Sequence, residues 1–568
     1  MSGSSGVRGA RRGGVAWGRR LSALGLAAVA VMGMAVPPAG AAPPVGAVPS
    51  AQAEPSAAAL DRVDAYAEEQ RARTRVPGMA LAVVKGGDVV HRRAWGEDGN
   101  GDPVTRRTPF LVGSLSKPIT ATAVMHLAEA DRLRLDAPVR RYLPWFEPSG
   151  PEARRMTVRH LLNQTSGMTE RDGLTRADRF DNAPGGVERV ARSLAQVRTV
   201  TPPGARHAYS NANYMLLGAV VERVTRRPFG PWLRDAVLRP LGMDGAIVDA
   251  RDAERRGLAP GHRYFFGRTT PFEAPFDASG VPYGYVGADI DDLAAFAAAQ
   301  LGGGGPAARA VVSPDGLREL HEGTVKAGTS HRYGLGWRDD SFDDLGERVV
   351  WHGGATPGFH GTVALAPGRD LAVVVQHNAY NPLRDEQLNS TAFGALRILL
   401  GGRPEPAPAD PMLATLLTVV TGTALALALA LTWSVFRLVR PGSRKSRARR
   451  RGWVIARGVC AAAGLLLLAF AAVYVLPRQV TGVDLAQILL FVPDAGRTLV
   501  AVAVLACALA VARGAHTVRA LRPLTRTAPS PGAAPAGPPA ARTTAAPPDR
   551  RGASHPSAPG RPSGPPSA

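Results

Sequence analysis

The stretch Phe110-Leu111-Val112-Gly113-Ser114-Leu115-Ser116-Lys117-Pro118-Ile119-Thr120-Ala121 places a hydroxyl and an amine three residues apart at the mouth of an apolar run. A helix opening near Ser114 brings both groups to one face, and the free N–H groups of its first turn favour negative charge on an oxygen there. A serine hydroxyl becomes a nucleophile only when a neighbouring base takes its proton. A lysine can be that base only where its surroundings keep part of it neutral. Composition sets this lysine apart: of 68 basic residues four are lysine, namely Lys85, Lys117, Lys326 and Lys445. Everywhere else the charge is arginine, which does not give up its proton in a protein. With so few lysines, about a quarter of a Ser-x-x-Lys match is expected by chance, and one is present. The competing reading is an N-cap serine and a solvated lysine on an ordinary helix, so the rest of the chain has to decide.

At 568 residues the chain has room for several domains and a large core. Its +22 formal charge looks like a nucleic-acid footprint until it is located. Residues 1–20 carry five arginines and no acid, residues 437–457 nine basic residues and no acid, and residues 513–568 eight arginines against Asp549. Residues 458–512 balance, which leaves a formal +1 for residues 21–436. The charge therefore flanks apolar segments, where it orients a chain in a membrane, and no nucleic-acid partner is expected. Arginines before the apolar run Leu21–Val36, with small residues up to Ala41, read as a signal peptide over 1–41. A Pro/Ala linker follows over 42–55.

Beyond a domain-sized segment, 56–402, and a linker over 403–411, apolar runs at 412–436 and 458–476 are long enough to span a bilayer, and 498–512 is read as a third span. The positive-inside rule puts the basic 437–457 loop in the cytoplasm. The 56–402 segment then lies outside a plasma-membrane, multi-pass chain with lipid as a partner. The 513–568 tail, rich in Pro, Ala and Ser, is read as disordered. Cys460 and Cys507 both lie in the apolar runs, so the soluble part has no disulfide framework.

Within 56–402 the periodicity predicts a helix over 57–73, a hairpin of strands 79–84 and 89–95 about Gly86-Gly87, and a helix opened by Ser114. Further helices are expected over 158–163, 215–224 and 289–301, with His207 to Tyr214 as a turn. Tyr333–Trp337, Val349–Ala355, Gly361–Leu365 and Leu371–Gln376 alternate like antiparallel strands. Strands at both ends with helices between suit an α+β fold: an antiparallel sheet made from the chain termini, flanked by helices, with a helical subdomain inserted.

Ser114-x-x-Lys117, Tyr209-x-Asn211 and His352-x-Gly354, in that order, resemble the three motifs of the class C β-lactamase and D-alanyl-D-alanine peptidase (penicillin-binding protein) family. Leu161–Gly167, Pro240–Met243, Tyr333–Trp337 and His352–Gly358 are similar to that family's surrounding phrases. The resemblance implies acyl transfer. Ser114 would attack a carbonyl while Lys117 and the Tyr209 phenol share the proton, with the choice of base between them open. Asn211 would donate to the substrate amide, and the N–H groups of Ser114 and Ala355 would hold the oxyanion.

The third motif departs from the β-lactamases, which carry Lys-Thr-Gly where this chain has His352-Gly353-Gly354. A neutral histidine binds a carboxylate less well than a lysine, which shifts weight from antibiotic hydrolysis to peptidases and esterases. The expected substrate is a D-Ala-D-Ala-type peptide, peptidoglycan included, or a small amide or ester. A β-lactam sensor, a penicillin-binding protein without turnover, and a true β-lactamase are the rival readings. No cofactor or metal is expected: His160, His207 and His360 lack ligand spacing and read as packing or surface residues. Phe265, Phe266, Tyr283 and Tyr285 either wall the cleft or fill the core.

Overall fold

The computed structural model describes residues 54–328, 331–406, 411–440 and 451–521. The expected signal peptide, almost all of the 42–55 linker, the middle of the basic loop and the tail beyond 521 lie outside the described residues. Helix α1 (Ala57–Thr74) is capped by the Ser56 hydroxyl, which accepts from Ala59 N, and it buries Val63, Ala67, Gln70 and Thr74 along one stripe. Strands β1 (Gly78–Lys85) and β2 (Asp88–Gly96) form the expected hairpin. Gly86 and Gly87 turn at φ 61° and 88°, a conformation that side chains with a Cβ resist.

The remaining strands of the main sheet come from the far end of the domain: β3 (Val325–Lys326), β4 (Arg332–Tyr333), β5 (Arg338–Phe342), β6 (Glu347–Thr356), β7 (Phe359–Ala366) and β8 (Leu371–His377). Their order is β2-β1-β8-β7-β6-β5-β4-β3, antiparallel throughout. Met79 pairs with His377 and Lys85 with Leu371, so the two chain ends are stitched together at β1 and β8.

Both faces of the central strands are covered, and the period-2 alternation divides their side chains between two cores. Leu81, Val83, Val373 and Val375 pack outward on α1 and α5 (Asp385–Leu399). Ala82, Val84, Val363 and Val374 pack inward in one cluster with residues of α2 (Ser116–Glu129), α3 (Asn211–Thr225) and α4 (Ile290–Gln300). The inserted helices thus lie on the sheet's inner face, and the site forms where α2 meets β6.

Three expectations change. Ser114 lies in a 3₁₀ turn, Gly113–Leu115, and α2 begins at Ser116. The α3 helix starts at Asn211, because the Ser210 hydroxyl accepts from Ala212 N and caps it there. Tyr333–Trp337 is not one strand: β4 stops at Tyr333, Gly336 turns at φ 85°, and β5 resumes at Arg338.

Three further helices, α6 (Pro411–Val439), α7 (Arg451–Phe470) and α8 (Pro493–Leu521), are long and apolar enough to cross a membrane, with mean hydropathies of 2.1, 2.3 and 2.1 in their most apolar windows. Each outruns its apolar stretch, since helical hydrogen bonding continues into the arginine-bearing flanks. They pack through Leu427, Ala469, Leu499, Val502, Ala506 and Leu509. Val419, Leu429, Trp433 and Val504 stay exposed, as a bilayer-facing surface requires.

Candidate active site

The 3₁₀ turn does what a helix start was expected to do. With three residues per turn, positions i and i+3 eclipse, so Lys117 rises directly under Ser114. Its Nζ lies 2.8 Å from Ser114 Oγ and 2.8 Å from the carbonyl of Tyr283, which fixes the amine from both sides. Ser114 is partly open to solvent, whereas Lys117 is 0% exposed. Burial, and after it the nearby charge of Arg338, pulls the lysine well below its ordinary pKa. The solvated-lysine reading is therefore set aside by geometry.

Tyr209 arrives from the loop that Ser210 ends, and Lys117 Nζ sits 5.0 Å from the centre of its ring. Desolvation pushes this phenol up to about 12, partly offset by its hydrogen-bonding contact with Ser114. Gln164 holds the loop in place: its Oε1 accepts from Ser210 N at 2.9 Å and from the Asn213 amide. Asn211, at the first position of α3, has a buried Oδ1 with no protein partner, as a group awaiting a substrate would.

Strand β6 closes against the Ser114 turn with no room for side chains between. A Cβ on Gly354 would stand 2.2 Å from Val112 O and 2.6 Å from both Ser114 N and Leu115 N. One on Gly113 would stand 2.0 Å from Ala355 N. The two glycines therefore let the backbone at Ser114 pack directly on the backbone at Ala355, the two residues named for an oxyanion.

His352 is 1% exposed and spends both ring nitrogens internally. Nδ1 lies 2.6 Å from Gly353 O, which can only accept, so Nδ1 carries the proton. Nε2 then accepts from the Tyr333 hydroxyl at 3.1 Å. Burial, with the charges of Arg338 and Lys117, holds this imidazole well below its usual pKa. His352 is thus a neutral wall of the site and not a cation facing substrate.

The structure brings together Ser114, Lys117, Tyr209, Asn211, His352, Gly354 and Ala355 from three separate parts of the chain. Three neighbours of theirs were given no role from sequence, Gln164, Tyr333 and Arg338, and Tyr283 was named for its ring and not for the carbonyl that holds Lys117. The first two lie inside the phrases Leu161–Gly167 and Tyr333–Trp337, and Arg338 follows the second directly. Arg338 touches His331 Nε2 at 3.1 Å and the Trp351 ring at 4.9 Å. Among the described residues it has no carboxylate within ion-pair distance, yet its charge lowers Lys117, His207 and His352 together.

Of the other histidines, His160 accepts from Thr157 N in a helix cap, His207 packs 5.0 Å from the Tyr333 ring, and His360 is buried against His377. Tyr283 and Tyr285 are buried. Phe265 and Phe266 neither line the Ser114 site nor fill the core. Phe265 lies under Arg497, and Phe266 N donates to Asp494 Oδ2 at 3.1 Å, both at the start of α8. Among the described residues no group of three or more His, Cys, Asp or Glu is arranged to hold a metal.

A serine hydroxyl on a buried amine, a tyrosine ring beside that amine and strand β6 packed on the serine's turn agree with what comparison finds. The Beta-lactamase family model matches residues 63–393, more than half of the chain. The chain belongs to the Beta-lactamase family. Membership makes it a relative of penicillin-binding proteins and a serine hydrolase by fold. It is similar to penicillin-binding protein 4 of Amycolatopsis lactamdurans, 31% identical over 376 residues that cover 62% of this chain and 94% of that one. Protein flp of Staphylococcus aureus (strain MW2) is 25% identical over 342 residues, covering 58% of this chain and 66% of flp. Among solved structures, the octameric penicillin-binding protein homologue from Pyrococcus abyssi superposes with a TM-score of 0.53 at 25% identity, over 63% of this chain and 81% of that one.

Proposed function

We propose that this chain is a membrane-anchored, outward-facing serine hydrolase that forms an acyl-enzyme on Ser114 and acts on D-Ala-D-Ala-type peptides or related small amides and esters. The observation that carries the reading is the buried, depressed Lys117 amine 2.8 Å from Ser114 Oγ. The neutral amine takes the serine proton as Oγ attacks the carbonyl carbon. Tyr209, too weak an acid to ionise at neutral pH, relays that proton to the departing amine or alcohol. The negative oxygen of the tetrahedral intermediate sits between the N–H groups of Ser114 and Ala355, a donor pair of the kind worth about 3 kcal/mol per donor. Water then repeats the sequence on the ester and frees the serine.

Arg338 supports a substrate ending in a carboxylate, because it supplies beside His352 the positive charge that His352 itself lacks. The similarity to a penicillin-binding protein supports the same class. The outward orientation is supported by the nine basic residues of the 437–457 segment between α6 and α7. The test is labelling of the full chain in detergent by a fluorescent penicillin and by a fluorophosphonate. Ser114→Ala is expected to abolish both signals, and undiminished labelling of that variant would remove Ser114 from the mechanism.

A further inference from the structure

The segment joining α7 to α8 does not hang free. Its short helix Leu485–Phe491, capped by Asp484, reaches back to the hydrolase domain and touches it on two sides, at Leu174 and at Arg263 and Tyr380. On the helical side, the Gln487 amide donates to the carbonyl of Leu174. Leu174 ends the helix Glu170–Leu174, which presses on the start of α3 so closely that a Cβ on Gly173 would lie 2.5 Å from Asn211 N. On the sheet side, Arg263 Nη1 donates to the carbonyls of Leu489 (3.2 Å) and Leu490 (3.3 Å), a cation placed at a helix C-terminus. Phe491 meets Tyr380 edge-on at 6.1 Å, Tyr380 stacks on His360 at 5.9 Å, and His360 is the cross-strand partner of Ala355. The connector is therefore two residues removed from Asn211 on one side, through Leu174 and Gly173, and two from Ala355 on the other, through Tyr380 and His360.

Which end of the cleft it closes follows from the charges. A substrate lying along β6 has its carboxylate towards His352 and Arg338, so its acyl part runs past Ala355 towards Thr356 and the turn at Gly358. The hairpin that carries Arg263 begins at that turn, with Gly261 Cα 3.1 Å from where a Gly358 Cβ would be. We propose that Leu485–Phe491 is the end wall of the acyl pocket, so that the full chain accepts small acyl groups and rejects long ones. This rests on the reading of Ser114 as nucleophile.

The experiment uses the full-length chain in detergent and two series of Ser114-directed probes, each with a short and a long chain: p-nitrophenyl esters, read as kcat/KM, and fluorophosphonates, which phosphonylate the serine with loss of fluoride and are read as a second-order labelling rate. In Gln487→Ala and Phe491→Ala the long-to-short ratio of kcat/KM is expected to rise about tenfold, the scale on which a hydrophobic pocket discriminates size. A ratio unchanged in both variants, with Ser114 still labelled, overturns the end wall and leaves the nucleophile standing. No labelling of the unmodified chain by any donor overturns both. A variant that merely misfolds loses short and long donors together. For that case Leu174→Cys with Gln487→Cys, made in a chain with Cys460 and Cys507 replaced by serine, is bridged by a short bis-maleimide. The bridge is expected to form and to keep the long-to-short ratio as low as in the unmodified chain, and failure to bridge overturns the placement.

Discussion

Lys117 carries more of the chemistry than any other side chain, and its protonation gives a sign that can be checked. Burial and Arg338 favour the neutral amine, so kcat/KM on a neutral ester should rise with pH through a midpoint well under the ordinary lysine range and then level. His352 and His207 are also held low, His207 at about 4, so neither adds an inflection between pH 6 and 8. A midpoint near the free-lysine value of about 10.4 would contradict the base assignment. Arg338 gives a second test at this scale. Arg338→Gln removes a charge-assisted contact worth about 1.5–3 kcal/mol, and should lower kcat/KM at least about tenfold for a carboxylate-ended peptide relative to its amide. An equal loss on both substrates would assign Arg338 to holding Lys117 neutral or to packing, and not to the carboxylate. None of this was legible from the Ser-x-x-Lys spelling. The spacing shows that amine and hydroxyl can meet; desolvation and the arginine's charge come from residues far away in the chain.

Among the elements, the contact of β6 with the Ser114 turn is the least tolerant of change. Gly354→Ala would drive a methyl group into three backbone atoms that cannot swing aside, at 2.2–2.6 Å. The turn must then move, and displacement of a nucleophile by about 1 Å costs on the order of 10²-fold in rate. The rate of phosphonylation by the fluorophosphonate should fall by that much while far-UV circular dichroism stays native; full reactivity would show that the strand can retreat. Periodicity located α1, the β1–β2 hairpin and β6–β8, because each buries a regular stripe or both faces. It misplaced the starts of α2 and α3, where a 3₁₀ turn and the Ser210 cap decide matters within a single turn of chain. It also ran β4 and β5 together, since Gly334 and Gly336 look alike in sequence but only Gly336 takes positive φ.

The whole molecule joins a hydrolase domain to three apolar helices through more than the linker after α5. If α6–α8 cross a bilayer, as proposed, contacts of Gln487, Phe491 and Asp494 with the hydrolase domain put the α7–α8 connector on the same side as Ser114. Three crossings would then return the chain after α8 to the side of the basic loop. A cysteine introduced at Ala533, in a chain without Cys460 and Cys507, should resist a membrane-impermeant maleimide in intact cells and react after permeabilisation. A cysteine at the exposed Ser341 should react at once. Immediate reaction at Ala533 would leave two crossings.

Which residue types are available for acyl transfer, and where the chain turns apolar, were determined by the sequence alone. Ser114 and Lys117 are three residues apart, and an apolar run is contiguous, so each is local enough to be read in a row. The tertiary structure alone decided that Lys117 is dry, that the Tyr283 carbonyl 166 residues away pins it, that the charge of Arg338 bears on Lys117 and His352, and that Gln487 bonds to Leu174. Desolvation and Coulomb forces act through space, and separation along the chain does not encode them.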